Sequence, residues 1–162
     1  MKPFTALLLG VFLGLGIPAT ALATMTVPWD DDQLTMVRAE FGIYQMTQKG
    51  EHFIPTKTVP LIEGQNYGWR IFLKTKAPLV HVREAFTLPT PPVTWGELSA
   101  DQTISEDKRI STVEHDVAPY QGVIFNGWSV AKGDPSGHHT IRVIINHRYE
   151  TVFEFEVQPP LP

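Results

Sequence analysis

The side chains with the most chemical potential in this sequence are its histidines. There are six in a chain without cysteine, and three of them, His138, His139 and His147, fall within ten positions. Imidazole nitrogen binds zinc or copper at ~2 Å, so the cluster raises the question of a metal centre. The spacing argues against one. In a regular strand His138 and His139 point to opposite faces, and His147 lies eight residues beyond His139, roughly 26 Å away at ~3.3 Å per residue. A bulge at Gly137 is the one device that would re-aim a ring. The expectation is no metal and no cofactor. His139 shares the parity of Ile141 and Val143 and is expected to pack at the end of the core with one nitrogen bonded.

Ser129, His115 and Asp116 are the residue types of a hydrolytic triad. No Gly-x-Ser-x-Gly elbow accompanies them, and Asp116, adjacent to His115 on a strand, faces away from it. Glu154 and Glu156 share a strand face at roughly 6.6 Å, a glycosidase-like separation that every alternating acidic strand also has. A solvated outer face explains them, no glycine loop for phosphate is present, and no enzyme is expected. Trp69 and Trp128 lie in apolar strands and read as core. Trp95, in Pro91-Pro92-Val93-Thr94-Trp95-Gly96, either lines a binding groove or folds back as a plug over one end of the domain. The plug is favoured, because a large apolar side chain is uncommon at a surface without a partner. Trp95, His138 and His139 are therefore the candidate binding residues.

The elements that carry these residues follow from apolar alternation with period two, the mark of half-buried strands. Val37, Ala39, Phe41 and Ile43 share one face; Tyr67, Trp69, Ile71 and Leu73 share another, as do Val80, Val82, Phe86 and Leu88. The run Phe53 to Ile62 contains Pro55 and Pro60, which cannot donate to a ladder and place it at a sheet edge. Thr94 to Asp107 reads as a long loop and Lys108 to Val117 as a polar edge strand. Val123 to Ala131, apolar on both sides of Trp128, reads as a central strand covered on both faces. Asp134-Pro135-Ser136-Gly137 has the residues of a type I turn with Gly137 at positive φ, closing a hairpin. Asn146-His147-Arg148 marks a second tight turn, so the last forty residues read as a three-stranded meander. About eight strands without a helix, each polar on one face, must bury the other face against a second sheet. That predicts an all-β, antiparallel two-sheet sandwich over residues 37–158.

Outside that domain the chain has other work. Met1-Lys2-Pro3, an apolar stretch from Phe4 to Ile17, and Ala19-Thr20-Ala21-Leu22-Ala23 have the order of a secretory signal peptide, residues 1–23, cleaved after Ala23 or Ala21. The apolar run is shorter than the ~20 residues that cross a bilayer. Export without cysteine points to a bacterial periplasm or exterior, with stability left to the core. Residues 24–36 form a polar stretch in which Asp30-Asp31-Asp32 is a solvated tail or cap rather than a cation cage, and 159–162 is a proline-rich tail. With 43% apolar and 19% charged residues the chain is suited to folding, and a net charge of −4 disfavours nucleic acid.

Several short motifs carry a resemblance. Glu40-Phe41-Gly42-Ile43-Tyr44 comes early, and Val59-Pro60-Leu61-Ile62-Glu63-Gly64-Gln65-Asn66-Tyr67-Gly68-Trp69 in the middle. Gly127-Trp128 and Gly133-Asp134-Pro135-Ser136-Gly137 then lead into paired C-terminal strands. In this order they resemble a bacterial family catalogued as a domain of unknown function, number 3859, from about Arg38 onward. The resemblance implies a small secreted, immunoglobulin-like sandwich and supplies no catalytic residues. Two positions depart from its pattern: Asn146-His147-Arg148 lacks a glycine, and His138-His139 replaces an aromatic after the Asp-Pro-x-Gly turn.

The expected function is a non-catalytic exported binding or structural module. It would present loops or a sheet edge to another exported protein, with Phe53 to Ile62 and Lys108 to Val117 as the natural edges. The alternative is a periplasmic carrier of a metal or small ligand using His138 or His139.

Overall fold

The computed structural model describes residues 33–48 and 50–160. The signal peptide, residues 24–32 with the aspartate triplet, and the last two residues of the proline-rich tail lie outside the described residues. Ten strands follow in order: β1 (Leu34–Thr47), β2 (Gly50–Pro55), β3 (Thr58–Pro60), β4 (Asn66–Thr75), β5 (Val80–Thr87), β6 (Gln102–Ile104), β7 (Ile110–Val117), β8 (Val123–Ser129), β9 (Gly137–Ile145) and β10 (Tyr149–Gln158). They form a four-stranded sheet ordered β2-β1-β4-β8 and a six-stranded sheet ordered β3-β10-β9-β5-β7-β6. All named pairings are antiparallel except β3 with β10, which is parallel. The two-sheet sandwich expected from alternation is the observed architecture.

The core is the layer between the sheets. Tyr67, Trp69, Ile71 and Leu73 of β4 are buried, facing Ile141, Val143 and Ile145 of β9 and Phe153, Phe155 and Val157 of β10. Phe41 stacks on Phe155 with ring centroids 4.2 Å apart, and Trp69 stacks on Phe153 at 6.2 Å. Each such side chain contributes roughly 1.5–3 kcal/mol by leaving water, which is how a fold without disulfides is held together.

The structure corrects several expectations. The first strand begins at Leu34, and a bulge between Met36 and Arg38 turns Val37 outward while Leu34 and Met36 are buried. Strict period-two reading fails across one extra residue. The proline-bearing run is not one strand but two, β2 and β3, at the edges of different sheets. The supposed loop from Thr94 to Asp107 contains β6, which pairs with β7. Lys108 to Val117 supplies β7, which is therefore shielded over three residues. Finally, β8 is an edge strand and not a central one: Ile124 faces the core, whereas Phe125 is 61% exposed. Its apolar residues on both faces mimic a doubly covered strand.

It follows that the last forty residues are not a meander. β9 and β10 form a hairpin in one sheet, but β8 belongs to the other. The turn that leaves β8 is tied at Ala131, whose N–H donates to Asp134 Oδ2 at 2.7 Å, while the Asp134 N–H returns to Ala131 O at 3.1 Å. Gly133 takes φ of 87° there and Gly137 takes 117°, the left-handed region that glycine adopts without a Cβ clash. The Asp-Pro-Ser-Gly segment thus carries the chain from one sheet to the other. At the β9–β10 hairpin, Asn146 and His147 both have φ near +50° (50° and 55°), the twist of a type I′ turn built without glycine.

Candidate functional site

The structure brings Trp95 and His139 to one end of the sandwich and leaves His138 elsewhere. Trp95 is half-buried; its indole N–H donates to Lys108 O at 2.9 Å and its ring meets Phe86 and Trp128 edge-on. The ring thus folds back over the end of the sandwich while one side of it remains open. His139 is buried among Phe86 and Phe155, and its Nδ1 lies 2.8 Å from Gly137 O. A carbonyl only accepts, so Nδ1 donates and a neutral ring leaves Nε2 as an acceptor. Burial pushes the His139 pKa below the ordinary imidazole value. His138, one residue earlier and on the other face, is exposed and pairs with Glu156 at 3.0 Å. The opposed directions of the two rings are those expected from the strand.

Trp95 and His139 line a cavity of about 240 Å³, with Tyr67, Phe86, Trp128 and Asp134 among its walls. Aromatic surfaces dominate it, and burial raises the pKa of Asp134 above the usual carboxylate value. The remaining triad types are not assembled. Ser129 Oγ bonds Asn66, Asp116 bonds His81, and His115 lies 3.9 Å from Asp101.

Sequence reasoning missed Glu84. It sits at core parity between Val82 and Phe86 and is 2% exposed. Its carboxylate accepts from Trp69 Nε1 at 2.5 Å, Trp128 Nε1 at 2.8 Å and Asn126 Nδ2 at 3.0 Å. One side chain of β5 thereby holds β4 and β8 of the opposite sheet. Burial pushes its pKa up, with the three donors pulling the other way. The signal was present: a charged residue at a buried position of a period-two strand requires partners.

The same clasp fixes the strand that bounds the cavity. In the β4–β8 ladder Leu73 N–H donates to Gly122 O, and Val130 N–H donates to Gln65 O at the other end. The register between them is continuous, pairing Ile71 with Ile124 and Trp69 with Asn126. Antiparallel residues alternate between bonding inward and outward, so Ile124, Asn126 and Trp128 bond β4 while Phe125, Gly127 and Ser129 turn their N–H and C=O away from it. Among the described residues no strand pairs with β8 on that far side. The Gly127 N–H donates to the neighbouring Asn126 Oδ1 at 2.9 Å. On the outer face, over β4 and between β8 and the β1–β2 pair, lies a second cavity of about 260 Å³, lined by Tyr44, Glu51, Asn66, Phe125 and Gly127.

Comparison with known proteins agrees with this architecture. An immunoglobulin-like protein from Pseudomonas aeruginosa, known from a crystal structure, is 15% identical with a TM-score of 0.50, over 75% of this chain and 92% of that one. That likeness concerns the fold alone. A DNA glycosylase for alkylpurines from Pseudomonas fluorescens, solved bound to DNA containing an abasic site analog, matches at 13% identity and a TM-score of 0.37. The match spans 74% of this chain and 30% of that chain, too distant to carry an argument. No curated protein matches significantly. No helix among the described residues is long and apolar enough to cross a membrane. The PM0630 beta sandwich domain matches residues 39–158, and the chain belongs to that family.

Proposed function

We propose that this immunoglobulin-like domain is a non-catalytic binding module that docks an extended segment of a protein partner along β8. The partner adds a strand, taking main-chain hydrogen bonds from Phe125, Gly127 and Ser129. Strand addition draws affinity from the backbone and specificity from pockets for alternate side chains. The observation that carries the reading is the edge of β8 that stays unpaired among the described residues, with Trp128 and Ser129 lining both the end cavity and the outer-face cavity. Successive side chains of an added strand point alternately towards the core face and the outer face of the sheet. The end cavity, at about 240 Å³, is smaller than the ~300–1,000 Å³ typical of small-molecule sites, which favours a partner side chain over a free ligand. Trp95 and His139 then act as walls of that pocket, and His138 has no part in it. Export to a bacterial periplasm or exterior, and membership of the number-3859 family, belong to the same reading, which makes the partner another exported protein.

The test uses Phe125→Pro, which removes one outward N–H and no bond to β4. Peptides selected from a random display library on the untagged domain are expected to bind the native chain and to lose at least tenfold in affinity on Phe125→Pro. Peptides that bind both proteins equally, or a selection that yields no binder dependent on Phe125, would overturn the reading.

A further inference from the structure

A second cluster lies on the outer face of the six-stranded sheet, away from β8. His81 is on the outward parity of β5, which runs between β7 and β9. Asp116 of β7 is its direct cross-strand partner, and Glu114 lies two residues along on the same face. The β9–β10 turn closes over the other side. It is clamped there by Asn146, whose Oδ1 accepts from the His81 N–H at 3.0 Å and whose N–H donates to His81 O at 2.9 Å. That clamp lays the His147 ring on the His81 ring, with centroids 4.2 Å apart.

We infer that His81, His147 and Glu114 form a surface site for one divalent transition ion of the zinc class, with Asp116 as the carboxylate that orients His81. One ligand atom from each of the three lies within 4.8 Å of the others. Tetrahedral donors on bonds of ~2.0–2.2 Å sit about 3.3–3.6 Å apart, so rotation of the exposed Glu114 and His147 side chains closes the gap. His81 Nδ1 is 2.9 Å from Asp116 Oδ1, the carboxylate–histidine contact that fixes the tautomer of a metal-ligating ring. Its Nε2 is 2.9 Å from Glu114 Oε1. An ion at Nε2 would replace this hydrogen bond with coordination shared by His81 and Glu114. Arg83 Nε, 3.8 Å from the other Glu114 oxygen, competes for that carboxylate. Two imidazoles and one carboxylate suit zinc, copper or cobalt over calcium or magnesium, and they leave a coordination position open for water. Two other exposed histidines lack this set: among the ion pairs of the described residues His115 meets Asp101 and His138 meets Glu156.

The experiment is a titration of the chain, without a histidine tag, with Zn²⁺ by calorimetry and with Co²⁺ by visible absorption. One ion per chain is expected, with the intense cobalt bands of a four-coordinate site. His81→Ala and His147→Ala should each weaken binding at least tenfold, and Asp116→Asn by about tenfold. His138→Ala should leave binding unchanged, and thermal melts of the apo variants should stay close to the native chain, because Asp116, His138 and His147 are exposed and His81 is half-buried on the outer face of the sheet. Absence of stoichiometric binding by the native chain would overturn the inference, as would native affinity in His81→Ala or His147→Ala. The peptide-binding result at β8 is independent of either outcome.

Discussion

The four-stranded sheet has two edges, and they are built alike but finished differently. Both β2 and β8 are attached through glycines that face each other across the sheet, Gly42 and Gly68. A Cβ at Gly42 would strike the Ile54 carbonyl of β2, and one at Gly68 would strike the Asn126 carbonyl of β8. Beyond that, β2 carries Glu51 and His52, ends at Pro55 and passes directly into β3 of the other sheet. Charge and proline are the usual guards of an exposed edge. The sequence of β8, VIFNGWS, has neither. The difference teaches that openness here is a property of side chains and not of topology.

The largest effect should come from proline substitutions within β8 itself. Ile124→Pro removes an inward ladder bond and a buried side chain, and should lower stability by about 3 kcal/mol or more in urea unfolding. Phe125→Pro should cost less than about 1 kcal/mol, because its N–H points away from β4. Equal losses would mean that the parity assigned to β8 is wrong. Next come the paired glycines: Gly68→Ala and Gly42→Ala should each cost about 1–3 kcal/mol through overpacking against backbone. Hydrogen exchange should separate them, with Gly68→Ala releasing amides of β8 and Gly42→Ala those of β2. The smallest effect concerns Glu84, which clasps β8 through Asn126 and Trp128. Its folded pKa is raised by burial, so the folded state holds the proton more tightly than the unfolded chain. Stability from this group is therefore fullest below the ordinary glutamate value near 4.5 and declines as pH rises through the folded pKa. Urea midpoints should accordingly shift in favour of Glu84→Gln, relative to the native chain, between pH 4 and pH 8. A difference that stays flat with pH would count against the burial account.

Much of the sandwich was legible because alternation reports which side of a strand is wet. The buried faces of β4, β5, β9 and β10 were readable from Tyr67 to Leu73, Val80 to Leu88, Ile141 to Ile145 and Phe153 to Val157. Sheet membership was not, since the same pattern serves a strand in either layer; β8 was assigned to the wrong neighbours for that reason. Phe125 added to the error, because an aromatic on the open face looks like one covered by a second layer. Of the candidate site, Trp95 and His139 were found, the first from its lack of a strand and the second from its parity with Ile141. Their meeting in one cavity depends on where the loop after β5 folds, which no local spacing encodes. Glu84 was visible as a charge in an apolar register, whereas its three donors come from β4 and β8. His81 and His147 are 66 positions apart and meet because β5 lies beside β9, so distance along one strand could exclude the His139–His147 pairing but could not suggest this one.

The claim that β8 is a docking edge is tested most directly by amide exchange at Phe125, Gly127 and Ser129, measured by NMR with and without a selected peptide. The account predicts that the Phe125 and Ser129 amides exchange fast in the free protein, Gly127 more slowly because it donates to Asn126 Oδ1, and that all three gain protection on binding, while Ile124, Asn126 and Trp128 are protected in both states. Slow exchange at Phe125 and Ser129 in the free chain, or binding that leaves them fast, would contradict it.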